Sequence, residues 1–188
     1  MEASQGRYDG RMAAVMEGPL ADLDSWKPDH CSIAKALEVV GTRSAILILR
    51  EAYYGTTRFD GFASRVGLTD AAVAGQLRKL TQAGLFTRQP YREEGKRTRH
   101  EYVLTPKGRD LLPVVLALMQ WGNTHLQPGP PPLDLVEAAT GDPVRVQVRS
   151  ASGREIGVDD LGVRLNEQWR AGRRRRTSGA AAHTAGHP

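Results

Sequence analysis

GLTDAAVAGQLRKLTQAGLFTRQPYREEGKRTRHEYVL, residues 67–104, decides the fold. Thr69 is a strong N-cap, and Leu68 is placed to pack on Val73 as a hydrophobic staple. From Asp70 to Gln82, Val73, Leu77 and Leu80 recur at the spacing of one helix face, and Ala83-Gly84 closes the helix. Just upstream, Asp60 is a good N-cap for a shorter helix, Gly61 to Val66, which Gly67 ends. Two helices joined by a glycine-containing turn form a helix-turn-helix. The period then switches from helical to two. Leu85 to Tyr91 and Arg99 to Leu104 read as paired strands, joined by the polar tip Arg92-Glu93-Glu94-Gly95-Lys96-Arg97-Thr98. A helix-turn-helix followed at once by a hairpin with a basic tip is a winged helix.

Upstream, Ile33, Ala36, Leu37 and Val40 fall at helical spacing, with Gly41 where a C-cap belongs. Ser44 to Ala52 is apolar around most of its circumference and predicts a helix buried on nearly all sides. Gly55-Thr56-Thr57 breaks it, and Arg58-Phe59 forms at most a very short strand. Downstream, Thr105-Pro106 opens a long helix with Thr as N-cap and Pro in the first turn. Pro113 cannot donate to the Arg109 carbonyl, so a kink or restart is expected there. Leu111 to Trp121 is apolar on more than one face, more than one small domain covers, and this signals a dimer. The fold class is mainly α (α+β): a winged helix-turn-helix with flanking dimerisation helices and a small C-terminal β-hairpin. Residues 1–26 read as a loose arm, 27–127 as the DNA-binding and dimerisation domain, and 128–132 as a stiff Pro-rich linker. Residues 133–166 carry a hairpin in which Val144 to Arg149 pairs with Glu155 to Val158, with a third strand through Val163 as an extension of it. Residues 167–188 are an Arg-, Gly- and Ala-rich tail expected to be disordered.

The chain has 188 residues, 40% of them hydrophobic and 25% charged, a net charge of +5 and one cysteine. A single Cys excludes a disulfide scaffold and points to a reducing cytoplasm. No stretch has the length of a membrane span or the layout of a secretory signal. Between Arg78 and Asp110 nine Lys or Arg stand against four acids, and Arg173 to Arg176 form a second basic block. Double-stranded DNA is the partner such a distribution suggests. No nucleophile elbow, phosphate-cradling loop or zinc-protease motif is present, so no enzyme, cofactor or metal is expected.

On the recognition helix, Thr69, Ala71, Ala72, Gly75, Gln76, Arg78 and Lys79 are the candidate DNA contacts. Base-edge readout needs fixed donors, and this face offers one central Arg with Gln76 at its margin. Modest direct readout is expected, with phosphates and DNA shape supplying much of the affinity. Arg92, Lys96, Arg97 and Arg99 of the wing, and Arg58 before it, are candidates for phosphate or the minor groove. Each of these sets has a bland alternative, a solvated charged face. The same holds for the Arg-rich tail. Trp121 reads first as core and alternatively as the wall of an effector pocket between subunits.

The residues resemble the HxlR family of bacterial winged-helix transcription regulators. The matching pieces are Cys31 to Leu37, Ile46 to Arg50, Arg58-Phe59, Leu77 to Leu80, Ala83 to Leu85, Tyr102 to Gly108 and Gln120 to Gly122. The resemblance implies a homodimer, built by N- and C-terminal helices, that sets two winged helices on a palindromic operator in the cytoplasm. It also implies a candidate sensor at Cys31, a position the family uses for oxidants or electrophiles; helix N-terminal amides stabilise a thiolate there. The physical alternative is a small apolar residue at the dimer interface. Control by a thiol reaction or a small-molecule effector is the expectation, against an architectural DNA-binding protein with little sequence preference and no signal input. One departure stands out: the family carries Gly-x-Lys-Trp where this chain has Gly41-Thr42-Arg43-Ser44, which leaves the packing of that helix at the dimer interface open.

Overall fold

The structure, a computed structural model, describes residues 13–22, 31–95 and 97–169. The chain divides into two compact units: His30–Val146, and a second assembled from the segments before and after it. In the first unit the order is α1 (Ser32–Val40), α2 (Arg43–Tyr53), α3 (Phe59–Val66), α4 (Asp70–Gln82), β2 (Phe86–Tyr91), β3 (Arg99–Leu104), α5 (Pro106–Arg109) and α6 (Leu112–His125). The chain is therefore mixed helix and sheet, with a small antiparallel hairpin following the helix-turn-helix.

The core gathers Ala45, Ile48 and Leu49 of α2, Phe62 and Val66 of α3, and Val73, Leu77 and Leu80 of α4, all buried. The apolar positions read from α4 are thus its inward face. Thr42 and Thr69 cap α2 and α4, accepting from the amides of Ala45 at 3.1 Å and Ala72 at 3.3 Å. Gly67, with φ 68°, turns α3 into α4 in the left-handed region that favours glycine. The start of α3 differs from the expectation. Its N-cap is Arg58, and Asp60 sits inside the first turn, where a carboxylate complements the helix dipole. In α2, Glu51 is buried as well; its Oε1 takes a 2.6 Å ion pair from Arg50 while Arg65 stands 4.0 Å from Oε2.

β2 and β3 pair antiparallel from Phe86 opposite Leu104 to Tyr91 opposite Arg99. Arg58 adds a single bridge to Glu101, and the Tyr102 amide donates to the Thr57 carbonyl at 2.8 Å, so the short third strand is one residue wide. Phe62, Phe86 and Tyr102 meet edge-to-face at 6.2–6.5 Å between ring centroids, which fastens the hairpin to α3.

The step from β3 into α5 secures the far end of α4. Thr105 Oγ1 accepts from the Gly108 amide at 3.1 Å and donates to the Gly84 carbonyl at 2.7 Å, while Lys107 Nζ donates to the Ala83 carbonyl at 2.8 Å. Gly108 is buried against this turn, and a Cβ there would run into the Leu85 carbonyl oxygen. Gly108→Ala is therefore expected to cost about 1–3 kcal/mol, since the obstacle is backbone and cannot swing away; a urea midpoint measurement checks it. The Tyr53 hydroxyl donates to the Gly108 carbonyl at 2.7 Å. Burial, with the Asp110 carboxylate second, pushes the Tyr53 pKa from 10.0 up to about 12. A raised folded value means this contribution is complete below pH 10 and lost as pH rises through about 12, which an alkaline unfolding titration of Tyr53→Phe against the parent would show.

At Pro113 the helix restarts. α5 ends at Arg109, and α6 begins at Leu112 with Pro113 in its first turn, where a missing amide costs nothing. Of α6 only Val115 is fully buried; Val114, Leu118 and Trp121 are exposed, Trp121 by 57% with its ring 5.3 Å from that of His125. Trp121 is therefore not part of this core.

In the second unit, β1 (Val15–Met16) pairs parallel with β4 (Gly162–Val163). The arm segment at 15–16 thus has a fixed partner, and Val163 pairs with it instead of extending the expected C-terminal hairpin. That hairpin is reduced to one bridge, Arg149 with Glu155, around a turn at Gly153. The boundary between units falls at Val146, inside the extension expected over 133–166. The Gln120 side chain holds the Val146 backbone to α6 from both sides, accepting from its amide at 3.0 Å and donating to its carbonyl at 3.2 Å.

Candidate nucleic-acid interface

The outward face of α4 is built by subtraction. Once Val73, Leu77 and Leu80 turn inward, Ala71, Gly75 and Arg78 recur one and two turns apart on the opposite side. Thr69, Ala71, Ala72, Arg78 and Lys79 are exposed. A Cβ on Gly75 would meet nothing within 4 Å, so the middle of this face is open to a close approach. Arg78 has no hydrogen-bond or ion-pair partner among the described residues. It is the one long donor in the centre of an otherwise small-residue surface.

Gln76 does not belong to this face. It is 8% exposed, and its Oε1 lies 3.3 Å from Ser44 Oγ and 3.5 Å from Thr42 Oγ1, both of which donate to it. A Gln three residues past Val73 is close enough to the inward stripe to be drawn in when a polar partner waits there. Ser44, at the position where the resembling family has Trp, is that partner.

In the wing, Arg58 reaches Glu93 at 2.6 Å and lies 4.4 Å above the Tyr91 ring. Arg99 reaches Asp60 at 3.2 Å. Two of the candidate phosphate contacts are thus held by carboxylates of their own chain. Arg97 is exposed at the tip without a partner among the described residues, and Arg92 is exposed with contacts of its own. Lys96 and the block Arg173 to Arg176 lie outside the described residues. Sequence reasoning missed Asp60 and Glu93 as partners, because pairing across elements leaves no periodic trace.

These pairs are exposed and each is worth at most about 1 kcal/mol. Asp60→Asn and Glu93→Gln are accordingly expected to leave thermal stability nearly unchanged while raising affinity for random duplex DNA, by up to about fivefold each. The salt dependence should steepen, since an arginine released from a carboxylate becomes available to phosphate. Unchanged binding in fluorescence anisotropy would mean that neither arginine reaches DNA.

Cys31 is the N-cap of α1 and half-buried, its side chain making no cap hydrogen bond. Among the described residues no group of His, Cys, Asp and Glu could hold a metal ion, and no helix is long and apolar enough to cross a membrane.

A capped recognition helix with a bare donor at its centre, beside a cationic β-wing, is the surface of a helix-turn-helix DNA-binding protein. Residues 39–130 match the family model of the HxlR-like helix-turn-helix. An uncharacterized HTH-type transcriptional regulator of Mycobacterium tuberculosis is 43% identical over 112 residues, which span 59% of this chain and 70% of that protein. Another, from Methanothermobacter thermautotrophicus, is 32% identical over 96 residues, 50% of this chain and 72% of that one. Among solved structures, the candidate transcription factor PA1607 matches with a TM-score of 0.66 at 36% identity, over 74% of this chain and 98% of its own. PA1374 from Pseudomonas aeruginosa matches at a TM-score of 0.52 and 36% identity, over 72% and 92%. The chain belongs to the HxlR-like helix-turn-helix family and is a transcription regulator of the helix-turn-helix type.

Proposed function

We propose that the protein is a homodimeric, sequence-reading regulator that sets α4 in the major groove and its wing on phosphate or the minor groove of a palindromic operator. The observation that carries this reading is Arg78, exposed on the Ala71–Gly75 face and without a partner among the described residues. Arg is the side chain best suited to a bidentate contact with guanine. Ala71, Ala72 and Gly75 let the helix sit deep, so phosphate contacts and groove shape supply the rest. Thr69, Lys79, Arg92, Lys96 and Arg97 hold the backbone, with Arg58 and Arg99 joining when DNA displaces their acids. Gln76 is left out of the set because it is buried.

A second copy accounts for the apolar surface that the protomer leaves bare. Ile33 (72% exposed) and Leu37 (58%) lie on one face of α1, and Val114, Leu118 and Trp121 on one face of α6. Large apolar side chains left exposed along a helix face mark a site for a protein partner. Input arrives through modification of Cys31 or through a small ligand, and the protein works on the chromosome in the cytoplasm.

Selection of bound duplexes from a random library, with reduced protein at near-physiological salt, tests the reading. Enrichment of a palindrome with half-sites about one helical turn apart supports it. Binding without enrichment replaces it with the architectural reading, which a face with one central arginine among small residues would then explain. Absence of binding overturns both.

A further inference from the structure

α2 and α6 border a cavity of about 260 Å³, walled by Ile46 and Leu47 of α2 and by Val115, Leu116 and Met119 of α6. Tyr53 and Tyr54 add two aromatic rings, and Tyr54 and Leu118, 45% and 51% exposed, mark its open side. Both hydroxyls are committed elsewhere. Tyr53 donates to the Gly108 carbonyl at 2.7 Å and Tyr54 to the Met119 sulfur at 3.8 Å. The volume lies just under the ~300–1,000 Å³ of ordinary ligand pockets and suits a compound with a single ring.

One charged side chain, Arg50, stands on this apolar wall. Its Nε and Nη2 donate to Glu51 Oε1 at 3.0 and 2.6 Å, which leaves Nη1 without a partner among the described residues. Glu51 is 4% exposed, and its second oxygen, Oε2, is buried with no hydrogen bond among the described residues. Arg65 of α3 stands 4.0 Å from that oxygen, too far for a hydrogen bond. A buried carboxylate oxygen in this state draws the nearest donor, and Arg65 is that donor. Two guanidinium groups around one carboxylate also leave a local charge of +1, which one further anion cancels. Apolar walls with two tyrosine rings favour an anion with an aromatic body.

We infer that this cavity is an effector site for a small aromatic monocarboxylate. The ring lies against Leu47, Tyr53 and Met119, and the carboxylate accepts from Arg50 Nη1. As Arg50 is drawn toward the ligand, its hold on Glu51 weakens and Arg65 closes on Oε2. Arg65 belongs to the first helix of the helix-turn-helix, so occupancy of the cavity is felt at α3, next to the recognition helix. The inference rests on the reading of the protein as a regulator with an input, and gives that input a ligand class.

Calorimetric titration of the full chain with benzoate tests it, with benzamide as the uncharged analogue and acetate as the anion without a ring. Saturable binding of benzoate is expected, with either analogue weaker by about tenfold or more. Removing Arg50 alone would strand the buried Glu51 carboxylate, so Arg50→Gln is combined with Glu51→Gln. This double variant is expected to lose about tenfold or more in benzoate affinity, as is Met119→Trp, which fills the cavity and leaves the charges in place. Saturating benzoate should also shift duplex affinity by about fivefold or more, and Arg65→Gln should abolish that shift while benzoate still binds. No saturable benzoate binding, equal binding of benzamide, binding untouched by both cavity variants, or an unchanged duplex affinity overturns the proposal. Duplex binding by the ligand-free protein is measured separately. Intact DNA binding without benzoate binding removes only the effector site, and loss of DNA binding removes the regulator reading itself.

Discussion

Phe62→Ala is expected to destabilise the protein by about 3–5 kcal/mol, the largest effect of any single substitution considered for this chain. Phe62 is fully buried on α3 and meets both Phe86 of β2 and Tyr102 of β3 edge-to-face. Truncation removes the transfer energy of the ring and leaves a hole in a close-packed cluster beside the two remaining aromatics. Domains of this size have about 5–15 kcal/mol to lose, so a large part of the folded population is at stake. Urea unfolding followed by circular dichroism measures it. The same variant should loosen the wing against α3, because those ring contacts tie the hairpin to that helix. Phe62→Leu keeps most of the volume and should recover more than half of the loss. Equal losses for Ala and Leu would mean that the edge-to-face geometry, rather than filled volume, holds the wing.

The second large effect is Arg78→Ala. If Arg78 reads a base edge, its removal costs about 1–3 kcal/mol on the selected operator and little on random duplex, so specificity collapses while basal affinity survives. No contact among the described residues stands to be lost, since the side chain is exposed and has no partner there. Arg97→Ala is the counterpart: a phosphate contact at the wing tip weakens all sequences alike and flattens the log–log salt slope by about one unit. Competition binding of both variants on operator and random duplexes separates the two roles. Equal losses on both DNAs for Arg78→Ala would remove it as a reader and hand specificity to groove shape.

The helix-turn-helix and hairpin were legible because their signals are local. Thr69, the Val73–Leu77–Leu80 stripe and Gly84 lie within one helix and its caps, and the switch to period two at Leu85 marks the wing. Pro113 announced the restart of α6 by its chemistry alone. The same periodicity pointed to Ala71, Gly75 and Arg78 as the outward face. It misplaced Gln76, whose angle on the helix sits at the margin and whose side was chosen by Ser44, 32 positions earlier. It misplaced Asp60 as a cap, because the bridge from Arg58 to Glu101 draws the helix start back by two residues.

Caps, stripes and turn glycines are properties of neighbouring residues, and they settle which segments are helix, which are strand and which side of each is apolar. Which charges are spent inside the molecule and which are left for a partner depends on distances between segments far apart in sequence. Arg58 and Arg99 look like Arg78 and Arg97 in the chain. Only the packing of β2 and β3 beside α3 brings Glu93 and Asp60 to the first pair and leaves the second pair bare. Electrostatic interaction falls off over a few ångströms, and such proximity is decided by the tertiary fold.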